Sequence, residues 1–262
     1  MYLEIAGKQA FYGTGSSSHR ESQPSIVFIH GAAMDHTVWS LPARYFARHQ
    51  FNVVAIDLPG HGRSTGPALH HIAEMSDWLS EVLATGENEE HIVVGHSMGS
   101  LIAWDWAAKN SDRCQKLVLL GTSMPMPVTD QLLNSAKLNE NASFEMANTW
   151  SHSSRGKLGF NLNPGVWMFG HGQRLMHRSI EDAFYADLAA CNSANLEPGQ
   201  IQCPTLLILA ESDQMTPYRA GKSVADQLTN TSIVTLPGSG HSMLSECPNE
   251  VLDALIEFIA AA

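Results

Sequence analysis

The sequence predicts an α/β fold, a mostly parallel central sheet with helices on both faces. Short runs rich in Val, Ile and Leu recur at 26–30 (IVFIH), 52–57 (NVVAID), 91–95 (HIVVG), 116–121 (KLVLLG), 204–210 (PTLLILA) and 232–236 (SIVTL). These runs are continuously apolar rather than alternating, which suits strands covered on both faces. Helix-period segments lie between them, and strand followed by helix, repeated, builds a parallel sheet.

In chain order, residues 2–12 alternate around Gly7 as a short hairpin, and the polar stretch SSSHRESQPS leads into the first buried strand. The clearest helix carries Ile72, Met75, Trp78, Leu79, Val82 and Leu83 on one stripe. A second closes the chain: Pro248 suits a first helical turn, and Val251, Leu252, Leu255, Ile256 and Ile259 supply its buried face. The rhythm breaks between Ser123 and Leu196, where Pro, Gly, Asn and Met are frequent. There VTDQLLNSAKLNE and SIEDAFYADLAACN read as helices and NLNPGVW as a turn. The expected organisation is a core of residues 1–122 and 197–262, with residues 123–196 inserted as a small, mostly helical lid.

Composition narrows the function. With 44% hydrophobic and 16% charged residues among 262, the chain is an ordinary globular one. Its formal net charge of −11 offers no basic field for nucleic acid or anionic membranes, so neither is an expected partner. MYLEIAGKQAFYG lacks the basic start and apolar run of a secretion signal, and no apolar stretch reaches the length of a membrane span. The expectation is a cytoplasmic protein, a monomer or a small homo-oligomer. Cys114, Cys191, Cys203 and Cys247 are scattered and form no CxxC pair, which reads as reduced thiols. Thirteen histidines show no metal-ligand spacing such as HExxH, so no metal and no cofactor is expected.

The chemistry centres on GHSMG at 95–99, placed where the strand HIVVG runs into the helical stretch SLIAWDWAAKN. A serine at the tip of such a turn sits in strained backbone, and Gly95 and Gly99 allow the chain on either side to close in. The turn aims the Ser97 hydroxyl off the sheet and leaves the Met98 amide unpaired at a helix start, where developing negative charge is favoured. HGAAMD at 30–35 follows a neighbouring strand with a tight Gly31 turn, and ligand sites gather at such strand ends. The Ala32 amide, with Ala33 as the near alternative, is the candidate to share an oxyanion with Met98. His30 reads as structural. In DLPGHGRS, Asp57 and Arg63 read as supports of a shaped loop, through hydrogen bonds or an ion pair.

A serine hydroxyl needs a histidine to take its proton and a carboxylate to fix that histidine. His241, in the loop GSGHSML between the last strand and the last helix, is the candidate base. Asp213, in ESDQMTP after the strand PTLLILA, is the candidate acid, with Glu211 as its rival; Pro217 opens the next helix. The chain order Ser97, Asp213, His241 matches one serine-hydrolase order and differs from the others.

These motifs together resemble the α/β-hydrolase superfamily, specifically small esterase, lactonase and C–C hydrolase-like members with a lid after the sixth strand. HGAAMD resembles the family's oxyanion loop, DLPGHGRS its glycine loop, GHSMGS its nucleophile elbow, and ESDQMTP with GSGHSM its acid and base loops. The resemblance implies a serine hydrolase that cleaves a small-molecule carboxylic ester through an acyl-enzyme, with lactone opening, C–C cleavage or ligand sensing as the alternatives. The inserted segment matches no one subfamily. Met98, Met124, Met126, Trp150, Trp167, Met168 and Phe169 could line an apolar acyl pocket or form the insertion's own core.

Overall fold

The computed structural model describes residues 1–159, 167–197 and 201–260. All six apolar runs form strands, preceded by the N-terminal hairpin: β1 (Tyr2–Ile5), β2 (Lys8–Gly13), β3 (Ser25–Ile29), β4 (Asn52–Asp57), β5 (His91–His96), β6 (Cys114–Leu120), β7 (Thr205–Ala210) and β8 (Thr231–Leu236). They make one sheet in the order β1-β2-β4-β3-β5-β6-β7-β8. The pairs β1/β2 and β2/β4 are antiparallel; every other pair is parallel. Ala6 and Gly7 both take left-handed backbone, with φ of 46° and 72°, as a two-residue hairpin turn requires.

The core helices are α1 (Ser40–Arg48), α2 (Ile72–Ala84) and α3 (Met98–Lys109). The segment between β6 and β7 forms α4 (Asp130–Lys137), α5 (Asn141–Ser151), α6 (Ser154–Lys157), α7 (Met168–Met176) and α8 (Ala183–Ser193). After β7 come α9 (Tyr218–Ala225), α10 (Met243–Glu246) and α11 (Pro248–Ala260).

Successive strand residues face opposite sides of a sheet, so a strand buried on both must be apolar throughout. In β3, Val27 and Ile29 pack with α2 and α3, whereas Ile26 and Phe28 pack on the opposite side with Trp39, Phe46 and the α11 residues Val251 and Leu255. β8 departs from this two-sided burial: it is the sheet edge, and its Ile233 is exposed. The predicted α2 stripe is buried except for Trp78, which is half-buried, and Pro248 does open α11.

Among the described residues between β6 and β7, the helices α4 and α8 fall in the segments the sequence marks as helical. The turn expected in NLNPGVW lies outside the described residues apart from Trp167. Leu132, Ala136, Phe144, Ala147, Met176, Phe184 and Leu188 form a cluster of their own, joined by Ala33 from the loop after β3. All four cysteines are free, but Cys203 and Cys247 are only half-buried, and the Cys114 and Cys203 sulfurs approach to 3.5 Å. No helix among the described residues is long and apolar enough to cross a membrane.

Candidate active site

Ser97 joins β5 to α3 with φ 56° and ψ −122°, left-handed backbone that is costly for a residue bearing a Cβ. The neighbouring glycines make this turn possible. A Cβ on Gly95 would lie 2.0 Å from the Gly99 carbonyl oxygen, and one on Gly99 would lie 2.3 Å from that of Ile29. Elbow, helix start and β3 are therefore in backbone contact, which sets the loop after β3 beside Ser97.

In that loop the two candidate amides behave differently. The Ala33 amide donates to the Asp187 carboxylate at 2.8 Å and is already engaged. The amides of Ala32 and Met98 donate to no protein acceptor among the described residues. Ala32 lines the same cavity as Ser97 and His241, while the Met98 side chain is buried in the core.

His241 follows β8 and Asp213 follows β7, and the structure brings them together: Nδ1 of His241 lies 2.7 Å from Oδ2 of Asp213. The second carboxylate oxygen accepts the amides of Met215 and Thr216, both at 2.8 Å, and the Thr216 hydroxyl donates to Oδ2 at 2.8 Å. Burial opposes ionisation of Asp213, but the His241 charge and these hydrogen bonds outweigh it and hold the carboxyl below its ordinary value. The rival Glu211 instead accepts the exposed Gly238 amide at 3.2 Å. With Nδ1 engaged by Asp213, Nε2 is the nitrogen left for the Ser97 hydroxyl. Both residues line one cavity without a hydrogen bond between them, a looseness common in ligand-free sites.

His96 was not singled out from sequence. Its Nε2 donates to the His241 carbonyl at 2.9 Å, tying the elbow to the base loop. Burial, reinforced by nearby His241, lowers its pKa to about 3, so the ring is neutral. Thr216 was likewise missed, although a threonine three residues after an aspartate at a strand end is a recognisable local hydrogen-bonding signal.

The supporting loops also have defined partners. His30 is fully buried, accepts the Leu58 amide at 3.1 Å and donates to the Gly31 carbonyl at 2.9 Å; burial lowers its pKa to about 4. Asp57 accepts the His36 amide at 2.7 Å, His36 Nδ1 at 2.8 Å and the Arg63 amide at 2.9 Å. The side-chain partner of Asp57 is thus His36, while Arg63 gives its amide and stacks its guanidinium over Phe11. Asp35, His36 and Asp57 place ligand-type atoms within 4.8 Å of one another. Asp35 pairs with Arg178 at 3.2 Å, and a guanidinium at that distance opposes a bound cation.

The cavity at the triad measures about 70 Å³, narrow beside the several hundred Å³ of a pocket that encloses a drug-sized ligand. Met34, Met126, Val128, Ala147, Met176, Phe184, Leu188, Cys191 and Met215 contribute to its wall, and among the described residues no Asp, Glu, Lys or Arg lines it. Of the Met, Trp and Phe residues marked from sequence, only Met126 is in this wall. Trp150 packs beside the cluster of the α4–α8 segment, Trp167 is 68% exposed, and the Phe169 ring rests on His152.

Known proteins share the sequence pattern and the fold of this chain. A pimeloyl-[acyl-carrier protein] methyl ester esterase of Chromobacterium violaceum is 29% identical over 250 residues, covering 90% of this chain and 94% of that protein. A bifunctional esterase/perhydrolase of Acinetobacter calcoaceticus is 25% identical over 257 residues, covering 90% and 91%. Among solved structures, the enol-lactonase of Burkholderia xenovorans superimposes with a TM-score of 0.88 at 18% identity, over 100% of both chains. An esterase of Exiguobacterium antarcticum gives 0.86 at 15% identity over 99% of each. The model of the alpha/beta hydrolase family matches residues 26–254, and the chain belongs to that family.

Proposed function

We propose that this chain hydrolyses carboxylic esters by acyl transfer, with Ser97 as nucleophile, His241 as general base and acid, and Asp213 as the carboxylate that orients His241. One observation carries the assignment: a strained serine and a buried His–Asp pair, from three distant segments, open onto one uncharged cavity. The chain is an ester-cleaving hydrolase of its family, and the esterase names of its relatives support that class.

Ser97 Oγ attacks the ester carbonyl as His241 Nε2 takes its proton. The carbonyl oxygen gains charge against the amides of Ala32 and Met98, at the α3 N-terminus. Collapse expels the alcohol, which takes the proton back from His241. Water, deprotonated by the same nitrogen, then attacks the acyl-enzyme and releases the carboxylate and Ser97. Asp213 accepts the hydrogen bond of the Nδ1–H throughout, without taking the proton, and stabilises the imidazolium. None of these steps calls on a cofactor.

The substrate we infer is a small ester with a slim apolar acyl group, because the wall is apolar and narrow. Residues 123–196 act as a helical lid over a core of 1–122 and 197–262; support comes from α5, α7 and α8, which carry the wall residues Ala147, Met176, Phe184 and Leu188. Four free thiols suit a reducing compartment such as the cytoplasm. Aryl esters of graded acyl length test the pocket: turnover should peak at short unbranched chains, and faster turnover of charged or sugar esters would contradict it.

A further inference from the structure

We propose that Asp187 is a positioning residue for the oxyanion loop, an inference that rests on the acyl-transfer reading above. Asp187 lies in α8, whose residues Phe184, Leu188 and Cys191 line the cavity. Its fully buried carboxylate reaches back to the core: Oδ2 accepts the Ala33 amide at 2.8 Å and bonds His61 Nε2 at 2.9 Å. His61 Nδ1 faces the Pro59 carbonyl at 3.0 Å, so both ring nitrogens face oxygen, as a doubly protonated imidazole requires. Burial disfavours that charge, but the Asp187 charge and hydrogen bond outweigh it and raise His61 above its ordinary pKa. Oδ1 of Asp187 has no partner among the described residues.

A buried ion pair is often no more stabilising than apolar packing of the same shape. Its consequence for the loop is more specific. Ala33 has φ 54°, left-handed backbone that is unfavourable for a residue with a side chain. Asp187 holds its amide in that conformation, while the Met34 amide donates to the Gly31 carbonyl at 3.1 Å and closes the turn. Ala32 is then left with a free amide in a loop so near Ser97 that a Cβ on Gly31 would stand 3.2 Å from the Ser97 Cβ. The helix that walls the cavity thereby fixes which loop amide receives the oxyanion.

The full-length chain carrying Asp187→Asn, Asp187→Ala, or the double change Asp187→Leu with His61→Phe tests this, the last because it leaves no buried charge unpaired. Turnover of p-nitrophenyl butyrate is measured beside binding of a trifluoromethyl ketone, whose adduct carries an oxyanion, and of the matching secondary alcohol, which forms none. The Asn variant keeps an acceptor for Ala33 and should stay within about threefold of wild type. The Ala and double variants should lose about 100-fold in kcat with KM little changed, and the ketone should weaken in parallel while the alcohol does not. Wild-type kcat in a folded Ala or double variant would overturn the inference. So would equal weakening of ketone and alcohol, a 100-fold loss in the Asn variant, or failure of both Ala and double variants to fold. Ser97→Ala, assayed alongside, separates the two levels: activity there removes the acyl-transfer reading itself, whereas its loss beside a fully active Asp187→Ala removes only the role of Asp187.

Discussion

The nucleophile turn and the oxyanion loop stand side by side, yet they are held in opposite ways. Around Ser97 the backbone itself is the constraint: Gly95 and Gly99 let β5, α3 and β3 close to distances that no side chain would permit. The loop at Ala32 and Ala33 is held instead by a carboxylate 154 residues away in sequence. One half of the site is held by close backbone packing and the other by a side-chain hydrogen bond, so substitutions should act differently on each.

The largest effect is expected at the chemical step. Ser97→Ala should reduce ester turnover by several powers of ten without unfolding the chain, checked by steady-state kinetics beside circular dichroism. Gly99→Ala should break the turn, because its Cβ would meet the Ile29 carbonyl; a stability loss of about 3 kcal/mol or more is expected in urea unfolding. Ala33→Gly is the contrasting change on the other side. It relieves a left-handed alanine without removing the amide, and stability should stay within about 1 kcal/mol of wild type.

Acid separates the two halves by a smaller margin. His30, buried under the oxyanion loop, titrates at about 4 in the folded chain against an ordinary 6.5. Between those values the unfolded chain binds the proton and the folded chain does not, so stability rises with pH across that window and falls as acid is added. From pH 6.5 to pH 5 the loss from this one group is about 1.5 kcal/mol, and His30→Gln should flatten it in urea titrations at the two pH values. The depressed Asp213 carboxyl acts in the same direction at lower pH: its contribution is complete above the ordinary value of 3.8 and fades as pH falls through the folded value. Thr216→Val should show the least change, with kcat lowered about threefold to tenfold by the loss of one hydroxyl bond to Asp213.

The same contrast explains what the sequence could and could not disclose. The strands were legible because two-sided burial demands unbroken Val, Ile and Leu, and β8 differed only because an edge strand is half-covered. GHSMG and GSGHSML were legible because each lies at a junction between elements that the pattern itself locates. Asp213 is preferred to Glu211 in the sequence because it lies farther out on the loop after β7, and only Asp213 meets His241. Ala32 is likewise preferred to Ala33 in the sequence, but the reason the Ala33 amide is engaged, a partner on α8, has no local signal. One signal was in plain view: Asp187 is a lone acid on a helix face with Phe184, Leu188 and Cys191, where a charge must have a buried partner. The Met and Trp residues between β6 and β7 leave pocket wall and insertion core undivided in the sequence, because composition carries no information about which side of a helix meets the cavity. Trp167 faces solvent, while Phe184 and Met176 line the wall.

Covalent capture tests the central claim most directly. Peptide mass mapping of enzyme quenched during turnover of p-nitrophenyl acetate, or after reaction with a fluorophosphonate, should find a single adduct on Ser97, absent in Ser97→Ala and slow to form in His241→Ala. An adduct on another residue, or full ester turnover by a folded Ser97→Ala chain, would contradict it.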